Sequence, residues 1–211
     1  MNEAIKKPPA GRMTIAVSVG FMPLFAGLRV HFWAQMALTV LLAIGLCGHW
    51  WPQGVRRMTA SFRNSPIKNI ALGLGTAALL YGIFALGNTL SRWLFNFAGH
   101  QINSVYAFKT GAPTGVIALL IALIIGPGEE ILWRGLLQDA FETRWGWQGI
   151  GFSTGLYAAV HMASGNLMLV LAAAVCGAFW ALTYWKFRSI TLNIISHVAW
   201  DLAVFLLFPF S

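Results

Sequence analysis

Charge is what this 211-residue sequence has least of: Asp, Glu, Lys and Arg make up 9% of it, where a soluble domain carries about 25%. With 58% of residues apolar and a mean hydropathy of +0.69, too few charges remain to cover a water-facing surface. Lipid must be the solvent over most of the exterior. There the backbone has to pair internally, which leaves helices or closed barrels. Barrel strands alternate apolar and polar residues, whereas this chain has long unbroken apolar runs. The fold class is all-α, a polytopic transmembrane helical bundle.

Cysteine is scarce too. Cys47 and Cys176 lie far apart in apolar runs, so buried free thiols are expected, without a disulfide framework or a Cys-based metal site. No HExxH motif, internal repeat, low-complexity tract or soluble segment is present. The organisation expected is a single integral membrane domain over 1–211. Although the formal net charge is +8, no soluble segment interleaves a basic patch with aromatics. Nucleic acid is excluded as a partner, and the bilayer takes its place.

Apolar runs cover roughly 13–28, 30–48, 69–94, 114–138, 148–163, 166–185 and 189–208. A span needs about 20 residues, so seven spans are expected, with six to eight compatible because the first and fifth runs are short. The first run, with its basic flank, also has the outline of a cleaved signal peptide. The absence of a small-x-small cleavage site and the immediate start of another run favour a retained helix. Lys6, Lys7, Arg12, Arg56, Arg57, Arg63, Lys68, Arg144, Lys186 and Arg188 would share one side of the membrane, against Arg29, Arg92 and Lys109 on the other. By the positive-inside rule the N-terminus is cytoplasmic. A prokaryotic inner membrane is the expected location.

Only six acidic residues occur, and their positions carry information. Glu3 is in the N-terminal tail, Asp139 and Glu142 are near a helix end, and Glu129, Glu130 and Asp201 sit within apolar sequence. A charge near the bilayer centre costs at least about 2.5–3.5 kcal/mol, so such groups pair, face a cavity or work. In Gly126-Pro127-Gly128-Glu129-Glu130-Ile131-Leu132-Trp133-Arg134, the proline should loosen or kink the helix and admit water. Glu130 and Arg134, four apart and acid first, can neutralise each other. Glu129 points about 100° away around the helix and is left over. It is the candidate for chemistry.

His161 follows Tyr157 by four residues, and His197 precedes Asp201 by four, so each pair shares a helix face. A lone histidine in an apolar helix is ordinarily a hydrogen-bonded core residue. Two of them with Glu129 and Asp201 are harder to explain separately. Counted from the basic helix ends, Glu129, His161 and His197 lie roughly 12–20 Å deep, at 1.5 Å per residue, and so can meet in one wet cavity. His31 and His100 fall on the opposite side. His49, beside Trp50 and Trp51, reads as an interfacial anchor.

A shielded carboxylate beside an imidazole can hold and deprotonate water, and a second imidazole can donate to the oxyanion formed on a carbonyl. The residues alone leave two readings open: a buried Glu/His hydrolase or a proton-coupled carrier. The three motifs Glu129-Glu130-x-x-x-Arg134, Tyr157-x-x-x-His161 and His197-x-x-x-Asp201 resemble, in order, the EExxxR, FxxxH and HxxxN/D motifs of the CAAX protease and bacteriocin-processing (CPBP, or ABI) family. The resemblance covers about 114–208, the motif-bearing core.

It implies an intramembrane endopeptidase of the type II CAAX prenyl protease class, acting on a membrane protein or lipidated peptide. Glu129 would be the general base, His161 would position water, His197 and Asp201 would line the oxyanion site, and Glu130 and Arg134 would hold the helix geometry. Tyr157 replaces the usual Phe, which is expected to change little beyond adding a hydroxyl. Asp201 stands where some members carry Asn, and it must be protonated or else orient His197. The favoured mechanism uses no cofactor. The metal alternative is zinc on Glu129, His161, His197 and Asp201. The competing functions are a proton-coupled transporter, expected to carry paired interrupted helices in matching halves, and a non-catalytic immunity or scaffold protein.

Overall fold

The computed structural model describes residues 7–28, 30–62, 66–110 and 112–210; Glu3, Lys6, Arg29 and Arg63 lie outside them. The described residues form nine helices: α1 (Ala10–Phe25), α2 (Phe32–Trp50), α3 (Pro52–Ser61), α4 (Pro66–Leu94), α5 (Ala98–Tyr106), α6 (Thr114–Trp145), α7 (Gln148–His161), α8 (Leu167–Phe187) and α9 (Ile190–Leu207). No strand occurs among them, and the all-α bundle is borne out. Five helices, α2, α4, α6, α8 and α9, are long and apolar enough to cross a membrane. The chain is an integral membrane protein.

The two remaining apolar runs fall short of the seven expected spans for a geometric reason. The 16 residues of α1 and the 14 of α7 reach only about 24 and 21 Å at 1.5 Å per residue, against a hydrocarbon core of about 30 Å. Both still contribute to the core. Met13, Val17 and Phe21 of α1 are buried, and Phe21 meets Trp133 of α6 edge-to-face. Leu132, Trp133, Leu136 and Leu137 make α6 the central helix. Outward-facing Ile15, Leu42, Leu79, Leu86 and Leu123 are exposed, as expected where lipid covers the surface.

The loosening expected at Pro127 is present as widened turns. The α6 helix runs through it, and the disturbance appears as two π-helical stretches, Ile121–Ile125 and Ile131–Gln138, flanking the α-helical Gly126–Glu130. A proline lacks the N–H and crowds the carbonyl four residues back, and a wider turn accommodates both effects. The flanking glycines serve close approach. A Cβ on Gly126 would lie 2.7 Å from Val198 Cγ2, and one on Gly128 would collide with Val40 Cγ1. Small residues at these contacts let α2 and α9 press against the acidic turn of α6.

The basic residues collect at one end. Arg57 Nη2 donates to Asp139 Oδ2 at 2.7 Å, an oxygen that also accepts from Trp51 Nε1 at 2.8 Å, and Arg188 Nη2 donates to Glu142 Oε2 at 2.6 Å. At the same end Ser189 Oγ donates to Asn69 Oδ1, which sets α4 and α9 side by side and parallel. Their far halves meet again where Phe84 packs on Trp200. At the opposite end the short α5 is tied down by Asn166 Nδ2, which donates to the Gln101 carbonyl and Ser104 Oγ. The Phe210 N–H donates to the Tyr106 hydroxyl.

Candidate active site

Glu130 is fully buried and both its carboxylate oxygens accept hydrogen bonds. Oε1 accepts from Arg134 Nη1 at 3.0 Å and from His197 Nδ1 at 2.7 Å, and Oε2 accepts from Asn193 Nδ2 at 3.0 Å. Arg134 also donates from Nη2 to the Gly177 carbonyl, and its guanidinium lies over the rings of Tyr157 and Trp180. An ion pair removed from water survives only when its remaining donors and acceptors are satisfied, and this one ties α6 to α8 and α9. The expected Glu130–Arg134 contact is present.

Glu129, one residue earlier, faces a different neighbourhood. Tyr157 of α7 donates its hydroxyl to Oε2 at 2.9 Å, and His197 Nε2 lies 4.0 Å from the same oxygen. Arg134, which pairs with Glu130, reaches this neighbourhood only through its guanidinium over the Tyr157 ring. Trp133 packs edge-to-face on Tyr157 and fixes the ring that carries the phenol.

The two histidines are held in opposite senses. His161 Nδ1 lies 2.7 Å from the Tyr157 carbonyl. A carbonyl only accepts, so Nδ1 carries the proton and Nε2 offers a lone pair. Phe25 of α1 tilts against the ring at 4.2 Å between centroids. His197 points Nδ1 at Glu130 and leaves Nε2 facing Asp201 Oδ2 at 3.5 Å and Glu129 Oε2 at 4.0 Å. Trp180 stacks flat on it, 3.8 Å between centroids and 17° between planes. Asp201 thus stands where it can orient His197, one of the two roles its chemistry allows.

Glu129, Tyr157, His161, His197 and Asp201 all line one cavity of about 460 Å³ with mostly apolar walls. The helix faces read from sequence spacing are the ones that line this cavity. Spacing did not reveal Asn193, the second ligand of Glu130, nor Trp180, the platform under His197. The available signal for Asn193 was a polar residue four before His197 in an apolar run. For Trp180 there was none, since ten tryptophans in a membrane protein read as packing and interfacial belt.

A metal would need several of these groups to turn toward one point. Among the described residues no three or more His, Cys, Asp or Glu side chains are placed to hold an ion. The phenol of Tyr157 already takes one Glu129 oxygen, and His197 Nδ1 is taken by Glu130.

Taken together, the fold and this cavity define a polytopic membrane protein with a buried carboxylate–imidazole cluster drawn from three helices. Residues 112–203 match the family model described as type II CAAX prenyl endopeptidase Rce1-like, and this segment is similar to that family. The match supports a CAAX-type intramembrane endopeptidase at the family level, as the three motifs implied. No curated protein and no solved structure matches the chain.

Proposed function

We propose that the protein hydrolyses a peptide bond of a membrane-associated or lipidated polypeptide, with Glu129 activating the water. The observation that carries this reading is the asymmetry of the two adjacent glutamates. Glu130 is consumed by Arg134, Asn193 and His197, whereas Glu129 faces the cavity with a phenol and an imidazole nearby.

Glu129 accepts a proton from water as the water oxygen attacks the scissile carbonyl, with the lone pair on His161 Nε2 orienting the water's second hydrogen. A proton on His197 Nε2, held in place by Asp201, donates to the oxyanion. Collapse of the tetrahedral intermediate breaks the C–N bond, and Glu129 returns its proton to the leaving amine. In a site shielded from bulk water each of these interactions is stronger than in solution. Water activation in this scheme rests on the carboxylate without a cofactor. The basic end supports an N-terminus in the cytoplasm, and a prokaryotic inner membrane is the setting this reading assigns.

Incubating the purified protein with a library of membrane-spanning peptides and sequencing the products by mass spectrometry tests the proposal. Internal cleavage by the wild type is expected. Absence of any product, together with proton-coupled solute uptake in proteoliposomes, would replace the hydrolase with a carrier.

A further inference from the structure

A second cavity, separate from the catalytic cluster, opens at the basic end of the bundle. About 420 Å³ in volume, it lies between the second half of α3, the last turns of α6 and the end of α8. That size falls within the range of about 300–1,000 Å³ usual for ligand pockets. Arg57, Ser61, Asp139, Tyr184 and Arg188 line it, and none of them lines the larger cavity.

The short helix α3 buries Gly54, Met58 and Ser61 and turns Arg56, Arg57 and Thr59 outward, the division of a helix lying in the membrane boundary. Met58 packs with Tyr184 and Ile190 in a small cluster apart from the main core. That packing holds the ring of Tyr184, which is only 4% exposed. Its hydroxyl nevertheless donates to no described residue, although a phenol buried so deeply usually finds a partner.

Arg57 carries a similar excess of donors. Its Nη2 donates to Asp139 Oδ2 at 2.7 Å and to Thr143 Oγ1 at 3.0 Å, whereas Nε and Nη1 have no acceptor among the described residues. Asp139 has the converse surplus. Its Oδ2 takes both Arg57 and Trp51 Nε1, and Oδ1 accepts from no described residue. Arg188, left-handed at φ 48° after the end of α8, brings a second guanidinium to the same pocket.

We propose that this pocket binds the headgroup of an anionic phospholipid. The phosphodiester oxygens accept from Arg57 and the Tyr184 hydroxyl, and a headgroup hydroxyl donates to Asp139 Oδ1. A guanidinium fork matches phosphate geometry, and Arg188 adds a further positive charge. The surroundings agree in sign, since Arg56, Lys68, Arg144 and Lys186 stand at this end against Glu142. A free phosphate could use the same donors, but the level of the pocket assigns the lipid. The span of α8 ends at Phe187 and that of α9 begins at Ile190, so the pocket lies where apolar helix gives way to water. Trp145, Trp147 and Trp185 are exposed at this end, as in an interfacial belt. Leu182 and Trp185, exposed on the last turns of α8, offer apolar surface to the acyl chains. The proposal does not depend on the hydrolase reading.

Native mass spectrometry of the protein released from detergent micelles, titrated with phosphatidylglycerol or phosphatidylcholine, tests this. The wild type is expected to hold phosphatidylglycerol about tenfold more tightly than phosphatidylcholine, which lacks the hydroxyl donor and the net charge. Arg57→Gln should weaken phosphatidylglycerol binding about tenfold or more, and Tyr184→Phe, which keeps the ring and the charge, about threefold or more. Lys68→Gln removes a charge at the same end outside the pocket and should change binding by no more than about twofold. Equal retention of the two lipids, unchanged binding by Tyr184→Phe, or a loss in Lys68→Gln as large as in Arg57→Gln would each overturn the proposal. Displacement of the lipid by inorganic phosphate would make a free anion the ligand and overturn it too. If Arg57→Gln does not fold, the lipid comparison and Tyr184→Phe still decide.

Discussion

The hydroxyl of Tyr157 donates to Glu129 Oε2 at 2.9 Å, which joins α7 to α6 at the acidic side chain next to the Glu130–Arg134 pair. The phenol both fixes the rotamer of the carboxylate and stabilises its charged form. A hydrogen bond to a charged group contributes about 1.5–3 kcal/mol. Tyr157→Phe keeps the ring that packs on Trp133 and removes the donor. Cleavage is expected to fall about tenfold or more, by the tenfold-per-1.4 kcal/mol relation, with little change in thermal unfolding. Unchanged kcat/KM in the variant would show that the hydroxyl does not serve the carboxylate.

Glu130 and Arg134 should behave in the opposite way. Removing one member of a buried ion pair leaves the other charge uncompensated, at a cost of about 3–5 kcal/mol. Arg134→Met is therefore expected to lower the unfolding midpoint in detergent sharply and to reduce membrane yield. A variant as stable as the wild type would mean that the pair, for all its 3.0 Å contact, is structurally dispensable.

The glycine beside the acids gives a packing test. Gly128→Ala forces its Cβ into Val40 Cγ1, and overpacking of this kind costs about 1–3 kcal/mol. Val40→Ala in the same molecule should restore most of the lost stability, measured as a non-additive double-mutant cycle. Simple additivity of the two changes would remove the α2–α6 contact from the account.

The sequence made much of this legible because membrane burial is so selective. Six acids in 211 residues leave few places to look, and i, i+4 spacing put Glu130 with Arg134 and His197 with Asp201. The family resemblance came from those same residues, and the match over 112–203 agrees with it. Other features stayed hidden for physical reasons. Whether Pro127 breaks a helix or is absorbed by π-helical turns depends on neighbours from α2 and α9, which no local pattern encodes. Counting residues from the basic helix ends gave the depth of the histidines. It could not tell on which side of them the chain leaves space, since that depends on how the bundle packs around Phe25, α5 and α8.

Chelation separates carboxylate from metal chemistry. With no described set of three ligands placed around one point, cleavage by the purified protein should persist at full rate after prolonged treatment with a strong chelator. Loss of cleavage that zinc restores would install a metal in the site.

The central claim is that the carboxylate of Glu129 itself activates water, and Glu129→Gln probes it with a nearly isosteric change. Single-turnover cleavage of one identified membrane peptide is to be compared between the wild type and this variant, with the unfolding midpoint recorded for both. The account predicts a rate reduced by about 10²–10⁴-fold, the range for loss of a general base, in a protein that unfolds at the wild-type temperature. A fully folded Glu129→Gln variant that still cleaves at the wild-type rate would contradict it.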